Sequence, residues 1–289
     1  VKLYVMTDLE GVAGVINFQE WTGPGKPYYG LAREFLTLEV NAAVDGFFEG
    51  GATEILVVDG HGPGAVNINQ LDPRVEYLRG WGEGWPLMLD DAFDALAFVG
   101  QHAKAGTQYG HLAHTQGTGY LDLSINGISI GEFGQLVMCA SEIGVRTIFG
   151  SGDEAFTKEA QELVPGIETV AVKRGVRAGT GDDLTKEEYE RFTASAQHLH
   201  PVKARRLIRE GALRAIHRAQ KEDFGIIQLT PPFQRVAKFR PSEGSPNWTI
   251  SRETHPSSVI ALMNMRFNPQ PIDKESDRTP VTEVSPTGC

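Results

Sequence analysis

Leu3-Tyr4-Val5-Met6-Thr7-Asp8-Leu9-Glu10-Gly11 is the stretch on which the fold turns. A short, almost unbroken apolar run that ends abruptly in acidic residues and a glycine is the pattern of a strand buried on both faces of a parallel sheet. The same pattern returns at Glu54-Ile55-Leu56-Val57-Val58-Asp59, at Leu96-Ala97-Phe98-Val99-Gly100 and at Arg146-Thr147-Ile148-Phe149-Gly150. Between the first two, Leu31 to Val44 carries apolar residues at helical spacing and stops near Gly50-Gly51. Phe133 to Ile143 and Asp153 to Leu163 read as further helices, and Thr169 to Lys173 as a strand. Strands alternating with helices specify a doubly wound α/β sheet. The rhythm breaks at Tyr120 to Ile130, where residues alternate with period two about Asn126-Gly127, a hairpin signal.

Beyond Thr185 the chain is charged and helix-forming, with Pro201 opening a second helix. Ile226–Leu229, Val236–Phe239 and Trp248–Ser251 read as strands and Ser257–Met265 as a closing helix. The expected organisation is a metal-binding core over 1–220 with the hairpin 119–131 inserted, a smaller α+β subdomain over 221–268, and an extended Pro-, Ser- and Thr-rich tail over 269–289.

Composition narrows the function. The 289 residues carry 27 Lys+Arg against 37 Asp+Glu, a net charge of −10, which opposes a nucleic-acid partner. The basic helix face with Arg205, Arg206, Arg209, Arg214 and Arg218 reads as a solvated or subunit-contacting surface. Two cysteines, Cys139 and Cys289, cannot form a disulfide framework, and no run of about 18 apolar residues suits a membrane span. Asp8 interrupts the first apolar run too early for a secretory leader, so the expectation is a soluble cytoplasmic protein. Gly60-His61-Gly62-Pro63-Gly64 lacks the Gly-Lys-Ser/Thr ending of a P-loop, and no Gly-x-Ser-x-Gly elbow is present. Cys139, inside Leu136-Val137-Met138-Cys139-Ala140, reads as a packed, inert thiol.

What remains is metal chemistry. Ligands in open α/β sheets gather beyond the carboxyl ends of the strands. There the first strand offers Asp8 and Glu10, the second runs through Asp59 to His61, and the third through Gly100 to His102. Carboxylates and imidazoles without thiolates suit zinc or manganese, in number enough for two ions sharing a carboxylate. Glu132 stands at an expected helix N-terminus and reads equally as a cap or a ligand. Asp59 and Asp153 are expected either to support ligating imidazoles by hydrogen bonds or to play structural roles. His111 and His114 lie in the loop after the third strand, close enough to supply an acid/base group, whereas His198, His200, His217 and His255 read as surface residues.

Four ordered segments carry a family resemblance: Thr7-Asp8-Leu9-Glu10-Gly11-Val12-Ala13-Gly14, Val58-Asp59-Gly60-His61, Gly100-Gln101-His102-Ala103-Lys104-Ala105, and Ile125-Asn126-Gly127 continuing to Ile130-Gly131-Glu132-Phe133-Gly134. The chain resembles the M55 peptidases, the D-aminopeptidase family of dinuclear zinc enzymes. That resemblance implies a three-layer αβα core and two zinc ions per subunit, bridged by Asp8, with Glu10 and His61 on one and His102 and Glu132 on the other. It implies His114 as the catalytic histidine and leaves His111 without a counterpart. The activity it implies is zinc-dependent removal of the N-terminal residue, D-Ala above all, from short peptides. It also implies ring-like homo-oligomers, a decamer in the founding member. The same ligands would serve a binuclear amidase, an L-peptide aminopeptidase or a phosphoesterase, or remain structural in a non-catalytic relative. The 175–195 stretch departs from the family pattern and is expected at the entrance to the site.

Overall fold

Alternation along the first strand sorts the core into two faces: Leu3 and Val5 enter one apolar cluster, Tyr4 and Met6 the other. The structure, a computed structural model, describes residues 1–80, 82 and 84–272. In chain order its elements begin β1 (Lys2–Thr7), α1 (Phe18–Trp21), α2 (Tyr29–Glu49), β2 (Glu54–Asp59), β3 (Glu76–Leu78), β4 (Ala95–Gln101), β5 (Tyr120–Ile125), β6 (Ile128–Ser129) and α3 (Glu132–Glu142). They continue β7 (Arg146–Asp153), α4 (Glu154–Leu163), β8 (Glu168–Gly175), α5 (Lys186–Phe192), β9 (Ala196–His198), α6 (Pro201–Ala219), β10 (Phe233–Phe239), β11 (Thr249–His255), α7 (Val259–Asn264) and β12 (Gln270–Pro271).

Seven strands form one sheet in the order β3-β2-β1-β4-β7-β8-β9, parallel throughout except for β8 with β9. Helices α2 and α6 cover one face, where Leu36, Val40, Phe47, Ile208 and Ala212 join Leu3 and Val5. Phe47 meets Phe149 of β7 edge to face at 5.5 Å. A buried ring of this size stabilises by ~1.5–3 kcal/mol, which holds α2 to the sheet. Helices α3 and α4 cover the other face with Phe133, Leu136, Phe156 and Ala160. This is the expected doubly wound α/β core in three layers.

A second, antiparallel sheet runs β12-β11-β10-β5-β6. It unites the Asn126-Gly127 hairpin with strands from the 221–268 segment. Leu123, Ile125, Met138, Cys139, Phe233 and Val259 form its core, so α3 lies between the two sheets and is buried from Phe133 to Ala140.

Ile226–Leu229 is not a strand. The amide of Ile227 is taken by the Ser141 hydroxyl (2.9 Å), and Pro231 and Pro232 follow with no ladder donor. Of the expected tail, Gln270–Pro271 pairs with β11, and residues 273–289 lie outside the described residues.

The strand order reverses between β1 and β4, the place where an open α/β sheet leaves a crevice at its carboxyl edge. Two glycines close the backbone there. At Gly100 φ is +80°, and a Cβ would stand 2.1 Å from the Asp8 carbonyl; at Gly11 it would stand 2.0 Å from the Gln101 carbonyl. The amides of Asp8 and Gly11 accordingly donate to the carbonyls of Val99 (2.9 Å) and Gly100 (2.7 Å).

Candidate active site

The strand ends at this crevice deliver Asp8 and Glu10 from β1, His61 from β2 and His102 from β4, while His114 arrives on the following loop and Glu132 on the first turn of α3. Two donor groups result: Asp8, Glu10 and His61, and His102, His114 and Glu132, the ligand atoms of each group lying within 4.8 Å of one another. Asp8 faces both. Its Oδ1 is 3.4 Å from His61 Nδ1 and its Oδ2 3.0 Å from His102 Nε2. Glu10 Oε2 is 3.1 Å from His61 Nδ1, and Glu132 Oε1 is 3.7 Å from both His102 Nε2 and His114 Nε2.

Each imidazole is oriented by a main-chain carbonyl. His61 Nε2 donates to Thr22 O (2.8 Å), His102 Nδ1 to Ala103 O (2.9 Å) and His114 Nδ1 to Leu112 O (2.8 Å). A carbonyl only accepts, so that nitrogen carries a proton, and the other nitrogen is turned toward the carboxylates, with room between them for a proton or a cation. His102 Nε2 and Glu10 Oε2 are buried without a hydrogen bond, although oppositely charged groups stand beside them. Buried nitrogen and oxygen atoms converging in this way could hold a metal ion.

The electrostatics agree. Burial alone would raise the Asp8 carboxyl, but His102 and His61 outweigh it and hold it well below the usual carboxylate range. Glu132 is likewise lowered, His102 overcoming the effect of burial. Burial disfavours charge on the imidazoles, yet Glu10 and Asp8 push His61 up to about 12, and Glu132 and Asp8 lift His102 well above its ordinary value. The carboxylates demand positive charge between them, which protons or cations can supply.

A cleft of about 610 Å³ opens over the cluster, with Phe18 and Trp85 among its apolar walls. The Phe18 ring meets the His114 ring edge-on at 5.5 Å, and His114 stacks on His102 at 3.9 Å.

The remaining candidates fall elsewhere. His111 is fully buried; its Nε2 lies 3.0 Å from Ile16 O, and burial and Lys173 depress its pKa, so it is a neutral packing group. Asp59 does not touch an imidazole; its carboxylate takes the amides of Ala65 and Val66 and the Tyr77 hydroxyl, bracing the loop after His61. Asp153 caps α4 through Phe156 N and receives His111 N. His198 is not a surface residue: its Nδ1 accepts from Gly14 N (3.1 Å), and burial and Lys173 bring it down to about 4. His200 caps α6 and His255 receives Ser258 N.

Lys173 went unread in the sequence. Buried at the carboxyl end of β8, it donates from Nζ to the carbonyls of Glu10 and Val15 and so fixes the loop carrying Glu10. Its only sequence signal is a charge ending an apolar strand. Burial, opposed by Asp153 and Glu39, lowers it to about 8.

Comparison with known proteins is consistent with this site. A D-aminopeptidase of Bacillus subtilis (strain 168) is 30% identical over 239 residues, 82% of this chain and 80% of that protein. Among solved structures, the Zn-dependent D-aminopeptidase DppA from Bacillus subtilis, a self-compartmentalizing protease, aligns with a TM-score of 0.76 and 25% identity, covering 91% of this chain and 95% of its own. The model of peptidase family M55, D-aminopeptidase, matches residues 1–245. With the family's sequence matched over most of its length and its fold reproduced, the chain belongs to the M55 peptidases.

Proposed function

We propose that this chain is a zinc-dependent aminopeptidase that releases the N-terminal residue, D-Ala above all, from short peptides. The observation that carries the reading is the pair of donor groups at the floor of the cleft, with Asp8 of one group also facing His102 of the other at 3.0 Å. Asp8 would hold two zinc ions in common, Glu10 and His61 completing one side and His102 and Glu132 the other. Zinc in such sites polarises a carbonyl and activates water near neutral pH. His114 is the acid/base group: with its proton held on Nδ1 by Leu112 O, its Nε2 takes a proton from the attacking water and returns it to the leaving amine. The Phe18 ring packs edge-on against the His114 ring.

The relative that compartmentalizes itself supports a homo-oligomer here, a decamer in our reading, with cleft mouths facing a shared interior. The 221–268 segment would act as a smaller unit on the 1–220 core, docked through the hairpin 119–131 inserted in that core. Among the described residues no helix is long and apolar enough to cross a membrane.

The test is zinc content per subunit beside hydrolysis of the p-nitroanilides of D-Ala and L-Ala. About two zinc ions with D-selective release is the expected result. Two ions without release of either would redirect the reading to amides or phosphoesters, and a metal-free protein active on both would refute it.

A further inference from the structure

The walls of the cleft above the donor groups carry few charged side chains. Asp8, Glu10, Glu132 and Glu190 line the cleft, and Lys186 is the only Lys or Arg among its described lining residues. Lys186 is half-buried and has no carboxylate within ion-pair distance among the described residues, although Glu190 stands one turn further along α5. Glu190 is engaged elsewhere: its Oε1 receives the Thr118 hydroxyl at 2.7 Å.

The wall presenting this cation is firmly built. Arg240 donates from its guanidinium to the carbonyls of Gly181, Asp182 and Leu184, and lies over the Tyr189 ring at 4.0 Å. Tyr189 is fully buried and its hydroxyl receives Gly106 N (2.8 Å), tying α5 to the loop that follows His102. The Lys186 amide donates to Pro241 O (3.0 Å), and the box of Thr185 with Glu188 fixes the start of the helix. A long flexible side chain on a rigid wall, lining the cleft and without an ion-pair partner among the described residues, is open to an anion that the substrate brings.

We infer that Lys186 binds the free C-terminal carboxylate of the substrate, so that the enzyme selects short peptides with an unblocked C-terminus. This rests on the peptidase reading above. The donor floor takes the amino end and the scissile carbonyl of the peptide, and Lys186, the only Lys or Arg among the described lining residues, stands on the wall to receive the other end. A C-terminal amide would meet the same lysine without charge, and a longer peptide would have to carry its carboxylate past it.

The experiment compares kcat/KM for D-Ala-Gly-Gly and for its C-terminal amide, with the zinc-loaded wild-type chain and with Lys186→Met and Lys186→Arg. The wild type should favour the free acid by about tenfold or more, as a charge-assisted pair implies. Lys186→Met should bring the ratio of acid to amide close to one, chiefly through KM, and Lys186→Arg should restore the preference. A wild-type ratio near one, or an undiminished ratio in Lys186→Met, overturns the inference while leaving the peptidase reading intact. Failure to cleave either peptide overturns both.

Discussion

Glu39 offers a measurable consequence of the way the Glu10 loop is held. It lies on α2, fully buried, with Oε1 accepting from Ala13 N (3.0 Å) and Oε2 without a hydrogen bond. Burial raises its carboxyl from 4.5 to about 8, only partly offset by the Ala13 amide and the charge of Lys173. A carboxyl raised on folding contributes stability that is complete below its unfolded pKa and lost as pH climbs through the folded value. At ~1.36 kcal/mol per pH unit, the window from 4.5 to about 8 is worth about 5 kcal/mol, of which about 3 is already lost at pH 7. Glu39→Gln keeps an acceptor for Ala13 N and removes the titration. The variant should match the wild type in urea unfolding at pH 4.5 and exceed it by about 3 kcal/mol at pH 7, at fixed protein concentration. Parallel stability profiles across that range would refute the reasoning.

Other substitutions separate the parts of the site. His114→Ala should retain zinc by elemental analysis while hydrolysis of D-Ala p-nitroanilide falls by about 10²–10⁴; loss of metal with the imidazole would make it a ligand instead. Asp8→Asn should lose both ions, and with them at least about 10³ of the rate, because its two carboxylate oxygens face an imidazole of each donor set. Gly100→Ala places a Cβ 2.1 Å from the Asp8 carbonyl at φ +80°, and should lower stability by about 3 kcal/mol or more, read as a fall in Tm. Chelation followed by dialysis should abolish activity, and zinc should restore it, with far-UV circular dichroism unchanged because the core packs without the site.

Much of the architecture was legible because the buried strands announce themselves. β1, β2, β4 and β7 are apolar runs closed by acidic or glycine residues, and Asn126-Gly127 marks its hairpin. The three-residue strands β3 and β9 escaped notice: they sit at sheet edges, where one partner suffices and no apolar pattern is required. Ile226–Leu229 misled because apolarity without available backbone partners does not make a strand. The candidate ligands could be read since each stands where a strand or loop runs out over the crevice. The supports could not. Thr22, Ala103 and Leu112 act through carbonyl oxygens that every residue type possesses, and Asp59 turned out to hold a loop rather than a ring. The half-buried role of His198 depended on β9, which the sequence had not revealed.

The carbonyl anchoring of the three imidazoles has a bearing on how such an enzyme can diverge. Because each ring is oriented by a peptide carbonyl, no wall side chain has to be preserved to hold it, and its charge is set by the carboxylates of the floor. Substitutions at Trp85, Thr118 or Lys186 can therefore remodel what the cleft accepts without disturbing the rings beneath it. The catalytic floor and the substrate-facing walls are genetically separable, which leaves this scaffold free to exchange one small amide for another while its hydrolytic chemistry stays fixed.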